Sequence, residues 1–324
     1  AGCGSSLPPV TGGEPALRLL SEPQYRAVIA DLFGPQISVG GTFDPLVRTN
    51  GLLTVGAAQA HISPAGIEQF DRMARSVAAQ VMAPDSREIF TPCTPKSPTA
   101  TDDACARRFF ETVGRMLYRR DLDAADLQQP VALAGAATTQ LGDFYAGLEA
   151  GLASMLVSPS FLFIADRTEA DPDQKGKLRL DGYSRAVRLS FFLWGSTPDD
   201  ALLTAARNGE LFESSGVRRQ VDRMIESPKL VTGLRAFFND MLAFEDIDRL
   251  EKDSIIYPTF SSAIAQDSRE QTLRTLTHLL IDEEADYRDI FTTRKTFMSG
   301  NLGRIYRVPV DRPDGGWMPY EFPQ

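Results

Sequence analysis

Helix punctuation recurs from one end of this chain to the other and restricts its fold to packed helices. Ser21 with Gln24 three positions on is a capping-box pattern, Tyr25, Val28, Ile29 and Leu32 follow on one face, and Gly34 supplies the stop. Ser63-Pro64 opens a second helix, and Pro84 closes it. Asp102 or Asp103 caps a third that runs to about Arg120. A long apolar helix is predicted from Thr139 to Val157, ended by Ser158-Pro159, with a small-residue face (Ala146, Gly147, Ala150, Gly151, Ser154) suited to close packing. Asp181 caps residues 182–193, Pro198 begins a helix that Gly209 ends, and residues 217–226, 228–244 and 260–284 continue the series. Nothing in the second half alternates with period two over a strand's length. The expected fold class is therefore all-α, a multi-helix protein with orthogonal or bundle-like packing and a loop-rich N-terminal part. Residues 35–60, Gly-rich with short β-branched pieces, are expected to form loops and a small hairpin.

The expected division runs as a tether over 1–16, an N-terminal helical region over 17–165, a C-terminal helical domain over 178–306 and an extended tail over 307–324. The polar linker Asp166–Lys177 separates the two helical regions. The chain carries 34 basic against 43 acidic residues, a net charge of −9, which argues against nucleic-acid binding by phosphate neutralisation. No run approaches the roughly eighteen apolar residues needed to span a bilayer.

The start, Ala1-Gly2-Cys3-Gly4-Ser5-Ser6, resembles the end of a bacterial lipoprotein signal, in which the cysteine becomes the lipid-bearing first residue of the mature chain. That places the protein outside the cytoplasm, lipid-anchored in the envelope at the outer membrane or periplasmic side, and makes Cys3 its membrane contact. Setting Cys3 aside leaves Cys93 and Cys105, twelve positions apart. In an exported protein such a pair is most simply a disulfide, worth about 3 kcal/mol for a loop of this length in the chain-entropy model. The rival, two metal thiolates, lacks further Cys or nearby His.

Residues 180–200 read LDGYSRAVRLSFFLWGSTPDD, followed by Leu202-Leu203, Ala206, Gly209 and Leu211. This resembles the planctomycete-type exported family of domain of unknown function 1592. Arg223-Met224, Phe237-Phe238, and Thr296-Phe297 with Leu302 and Tyr306 extend the likeness. Arg18–Ser21 with Tyr25 and Asp31–Gly34 resembles that family's N-terminal companion module, and Cys105–Arg108 with Gly114-Arg115 and Tyr118–Arg120 its middle one. The chain departs from the pattern at Asp121 (usually proline), Ser299 (usually asparagine) and Gly303 (usually alanine). The resemblance implies an exported or lipid-anchored protein, in some relatives fused to or encoded near c-type cytochromes, and carries no established reaction. Relatives continue past the position of Gln324, which implies that part of the working surface lies further on.

No Cys-x-x-Cys-His, G-x-S-x-G, P-loop or H-E-x-x-H is present, so no cofactor is expected and no catalytic residue is assigned. Of the two histidines, His61 precedes a helix start without neighbouring ligands. His278 has Asp282 four positions on, where the two can meet on a helix face, and these are the weak metal candidates. Asp282, Glu283 and Glu284, with Asp286 and Asp289 beyond, read either as a solvated acidic helix end or as an acidic docking patch; Arg119 and Arg120, at the end of the Arg107, Arg108, Arg115 series, read as helix-end cations, as a basic docking counterpart, or as a contact for an anionic ligand or lipid headgroup. Arg185 and Arg188 are expected to pair with Asp199 and Asp200 around Trp194, and Leu189, Phe192 and Leu193 to form a buried stripe. The leading expectation is a non-catalytic scaffold or subunit bound to other envelope proteins. The alternatives are an electron-transfer accessory that docks a c-type cytochrome, and a hydrolase or metal-dependent enzyme completed by a further C-terminal part. Intact mass of protein from its native host should show a lipid on Cys3; an unmodified Cys3 there would end the anchoring idea.

Overall fold

A computed structural model describes residues 14–59, 61–312 and 315–324. Cys3 and most of the expected tether lie outside the described residues. The chain forms two compact units, each discontinuous in sequence: the first holds residues up to 44, 58–188 and 198–213, the second residues 45–57, 189–197 and 214–324.

The first unit is a stack of helices whose starts are chemically specified. Ser21 N–H donates to Gln24 Oε1 at 3.0 Å ahead of Glu22–Phe33, Ser63 Oγ accepts from the Gly66 amide at 2.9 Å ahead of Pro64–Val81, and Asp102 caps Asp103–Leu117. Cys93 and Cys105 are joined by a disulfide just before and inside that third helix. The predicted 139–157 helix is in fact two: Ala124–Leu141 ends at Gly142 in the left-handed conformation, and Asp143 caps a new helix, Phe144–Leu156. Asp143 accepts from the amides of Tyr145 and Ala146, so it ends one helix's continuity by starting another. The small face expected in this region does bring the helices together. A Cβ on Gly147 would sit 2.0 Å from Thr138 Oγ1, and one on Gly151 2.2 Å from the Phe110 ring. Tyr25 is fully buried among Phe43, Phe70 and Phe161, at ring distances of 5.4, 6.0 and 5.1 Å. Its hydroxyl has no hydrogen-bond partner among the described residues, and burial raises its pKa.

Three two-stranded antiparallel ladders interrupt the helices, each of three- or four-residue strands, too short for an alternating pattern to register. In the first unit β1 (Leu17–Leu19) pairs with β2 (Phe163–Ala165), and β3 (Thr168–Ala170) with β4 (Leu178–Leu180). The β1 end is secured where Ala16 N–H donates to Asp166 Oδ2 at 2.9 Å and the Asp166 amide returns a bond to the Ala16 carbonyl. In residues 35–60 the hairpin reduces to a single bridge between Thr49 and Leu52.

The second unit buries Phe238, Phe244, Leu273 and Leu276, with Leu234, Ile247, Leu280 and Ile290 against them. Its spine is the helix Ser262–Thr277, tied to β5 (Lys295–Met298), which pairs with β6 (Met318–Glu321). Gln271 Nε2 donates to the Phe297 carbonyl at 2.7 Å, and the hydroxyls of Thr275 and Thr296 meet at 3.0 Å. The departures from the family pattern are accommodated locally. Ser299 Oγ caps Gly300–Tyr306 and donates to Asp267 at 2.6 Å, while at Gly303 a Cβ would fall 2.6 Å from the Val308 carbonyl oxygen. In the first unit, Asp121 receives Arg115 at 2.7 Å.

The motif at 180–200 is built differently from its expected stripe. Phe192 is 70% exposed and Leu189 and Leu193 are only partly covered; in the helix Gly182–Leu193 the buried positions are Gly182, Ser184, Ala186, Val187 and Ser190. Arg185, Arg188 and Asp200 take partners other than the expected ones. Arg188 binds Asp166 at 2.6 Å, Arg185 donates to the carbonyls of Leu180 and Leu211, Asp199 caps Asp200–Arg207 and Asp200 receives Arg115. Trp194 is 3% exposed, and its Nε1 donates to the Met224 carbonyl at 3.0 Å, with Lys229 Nζ 5.3 Å from its ring. Trp194→Ala should therefore destabilise the protein by about 3–5 kcal/mol in urea unfolding, since it removes a buried aromatic and strands a carbonyl; a loss below about 1 kcal/mol would contradict this packing.

Candidate functional site

The clearest site in the second unit grows from the irregular end of the Ser262–Thr277 helix. After Thr277 the helix widens into a π turn over His278–Asp282, in which the Glu283 amide donates to the His278 carbonyl five residues back at 3.0 Å. Such widened turns are rare and are frequent at functional sites. Glu284 then takes the left-handed conformation, φ 48°, and the Ala285 amide closes onto the Leu279 carbonyl at 3.0 Å. The wider turn lets His278 meet carboxylates both four and five positions on.

His278 Nδ1 lies 2.7 Å from Asp282 Oδ2, and Nε2 3.4 Å from Glu283 Oε1. Glu283 Oε1 also receives Lys295 Nζ at 2.8 Å, from the first residue of β5. The His278 ring stands edge-on to Phe297, centroids 5.4 Å apart. His278, Glu283, Lys295 and Phe297 line a cleft of about 310 Å³, closed by Thr275, Tyr320 and Pro319, while Asp282 lies behind the His278 ring outside it. That volume is at the lower edge of the range for small-ligand sites. Lys295 first, then His278, holds the Glu283 carboxyl below its usual pKa range.

Asp282 and Glu283 approach opposite nitrogens of one imidazole, so the three groups flank a ring instead of converging on a point. Among the described residues no group of three or more His, Cys, Asp or Glu side chains is placed to hold a metal ion. Three of the acids expected to form an open patch are partnered close by, while Glu284 and Asp289 are exposed. Asp282 faces His278, Glu283 faces His278 and Lys295, and Asp286 caps Tyr287–Phe291 while receiving Arg288 at 2.5 Å. Lys295 escaped the sequence reading; its one signal was its place just before Thr296-Phe297.

The expected basic patch in the first unit is dispersed. Arg107 and Arg108 are exposed, while Arg115 is bound to Asp121 and Asp200. Arg119 lies beyond the helix end in the left-handed conformation and is 3% exposed, and Arg120 is clasped by both oxygens of Asp126 at 2.6 and 2.7 Å. Helical spacing put these residues on one face, but the helix stops at Leu117. His61 is exposed on the segment before Pro64–Val81.

Residues 180–308 match the family model of a protein of unknown function, DUF1592; residues 105–166 match DUF1595 and residues 18–83 match DUF1587, both likewise described as proteins of unknown function. No curated protein and no solved structure matches the chain. No helix among the described residues is long and apolar enough to cross a membrane.

The cleft's charge ladder has a measurable sign. A carboxylate held low contributes stability above its unfolded pKa and loses it as pH falls through the folded value. Lys295→Met should therefore move the Glu283 titration up toward the ordinary range in carboxyl-carbon NMR, while wild-type Glu283 titrates below it; an unmoved titration would show that the 2.8 Å contact does not persist in solution.

Proposed function

We propose, from the premise that this chain belongs to the planctomycete-type family joining the DUF1587, DUF1595 and DUF1592 modules, that it is a non-catalytic subunit of a larger envelope assembly, anchored through a lipid on Cys3. The observation that carries this reading is an aromatic surface on the second unit. Phe291 is 71% exposed, Phe237 48%, Tyr287 43% and Met241 38%. Tyr287, Phe291 and Met241 adjoin at the surface, Tyr287 meeting Phe291 at 5.8 Å and its hydroxyl reaching Met241 sulfur at 3.9 Å, and Tyr287 and Phe237 both pack on the buried Phe238 ring, at 6.3 and 5.3 Å. Ile255, Ile256 and Tyr257 add further exposed apolar side chains in the same unit. Contiguous apolar surface on a folded domain marks an interaction site, and aromatics with methionine are the residues that interfaces concentrate.

The partner class is another envelope protein. A c-type cytochrome in that place is the electron-transfer form of the same reading and would announce itself by haem absorption. The His278 cleft favours a second reading, an enzyme of the hydrolase class with an imidazole and carboxylates as its proton-transfer groups.

The test uses protein purified under native conditions from its own envelope. Phe291→Asp combined with Phe237→Ser should convert a high-mass species on native gels into the free chain, with folding stability kept within about 1 kcal/mol because both side chains are at the surface. A wild-type protein that migrates as the free chain, indistinguishable from the variant, overturns the proposal. Turnover of a substrate by the purified chain, lost in His278→Ala and kept in Phe291→Asp, would install the enzyme reading instead.

A further inference from the structure

A second cavity, of about 200 Å³, lies in the first unit beside the helix ending at Leu117 and is lined by the three arginines Arg119, Arg120 and Arg167. Tyr183, Ser184 and Phe163 complete the wall that matters here, and no aspartate or glutamate lines it. Two acids stand behind the wall: Asp126 clasps Arg120 and feels the charge of Arg167, and Asp121 receives Arg115 and the Tyr183 hydroxyl, so the three arginines outnumber the two carboxylates they face.

The chain goes to some length to put positive charge here. Arg119 adopts φ 59°, a left-handed conformation disfavoured for a residue with a Cβ. Its Nη2 donates to three carbonyl oxygens, of Ser160 at 2.8 Å, Phe161 at 3.0 Å and Phe163 at 2.7 Å. Carbonyl dipoles fix the orientation of a guanidinium without neutralising it. Burial draws the Arg119 pKa down to about 9, so the group is still cationic at neutral pH. Arg120 is equally fixed, by its two-point pairing with Asp126. Arg167 is exposed at the rim, where its amide donates to Ser184 Oγ at 2.8 Å. Ser184 is 4% exposed, and because its oxygen is the acceptor in that bond, its own proton is available to a second acceptor.

We propose that this cavity is a binding site for a small oxyanion of the phosphate class, held by Arg119 and Arg167 with Ser184 as a neutral donor. Guanidinium forks match oxyanion geometry, and in a partly enclosed, low-dielectric site such charge-assisted bonds are strong. The volume sets the size of the occupant: it is below the roughly 300–1,000 Å³ of sites for larger organic ligands. The proposal does not rest on the docking reading, because it uses different residues in the other unit.

Calorimetric titration of the full chain with sodium phosphate, at ionic strength matched by chloride, tests it. Saturable binding is expected in phosphate beyond the chloride control. Arg167→Gln should weaken it by about tenfold or more, the scale of one lost charge-assisted contact, and Arg167→Lys by less. Ser184→Ala should weaken it by a smaller factor. Because Arg167 is at the rim, its variants should melt at the wild-type temperature, which separates lost binding from lost fold. No heat beyond the chloride control, or equal binding by wild type, Arg167→Gln and Ser184→Ala, overturns the site. So does attachment to anionic phospholipid vesicles that free phosphate does not compete, since that would assign the charge to a lipid surface.

Discussion

The guanidinium of Arg48 is the tie on which the second unit's closure depends. Its Nη2 donates to Glu245 Oε2 at 2.7 Å and its Nε to Oε1, while Nη1 reaches the Asp240 carboxylate at 3.1 Å, the Asp240 carbonyl at 2.9 Å and the Gly51 carbonyl at 2.6 Å. Asp240 also accepts the Leu53 amide at 2.9 Å. One side chain thus holds a segment of thirteen residues, 45–57, to a part of the chain some 190 positions later. The segment is also closely folded on itself: a Cβ on Gly56 would fall 1.6 Å from the Val47 carbonyl oxygen. Because the contact is so distant in sequence, the entropy of closing that loop must be met before the contact repays it. Neither unit can be assembled from one uninterrupted stretch of sequence.

Arginine plays the same part elsewhere, and this shapes the surface left for function. Arg188 and Arg18 converge on Asp166, whose carboxyl is nearly inaccessible; burial would raise its pKa, but Arg188, the Ala16 amide and Arg18 together hold it low. Arg185 fastens two carbonyls and lies over the Phe212 ring, which Arg179 covers as well. A guanidinium carries five donors in a rigid plane, so it joins backbone segments that a single hydrogen bond would leave loose. Cations committed to such work do not form a docking surface, which is why a run of basic residues in sequence did not become a basic patch in space. Among the side chains the second unit exposes are large apolar ones, Phe291, Ile255 and Ile256.

How much of this was legible in the sequence follows from the range of each signal. Caps act within three residues, and Ser21, Ser63, Asp102 and Asp181 all hold helix starts, whereas the helix expected to begin at Pro198 is capped by Asp199 instead. The disulfide was legible from an even pair of cysteines, and the all-α class from the density of helix signals. Misreadings arose where tertiary contact outweighed local pattern. Gly142-Asp143 is a stop followed by a cap, but its apolar surroundings read as one continuous helix. Phe192 has the spacing of a buried stripe, yet small residues, Ala186 and Ser190, occupy the covered face of that helix. The His278–Asp282 pair was visible as an i, i+4 relation. Glu283 joined it only because the turn is π, and no local residue preference announces that.

The Ser262–Thr277 helix connects the two surfaces from which a function of the second unit can be argued. Leu273 and Leu276 pack into the core beneath Phe238, the buried ring that supports the exposed Phe237 and Tyr287. Gln271 and Thr275 hold β5 in place, and β5 presents Lys295 and Phe297 to the cleft. The aromatic patch and the His278 cleft are therefore supported by different residues of one helix. A change at Leu273 or Leu276 would disturb the patch through lost packing, and a change at Gln271 would disturb the cleft through a freed strand carbonyl. Only substitutions at the outer shell, such as Phe291 for the patch and Lys295 for the cleft, can separate what each surface does from what the helix does for both.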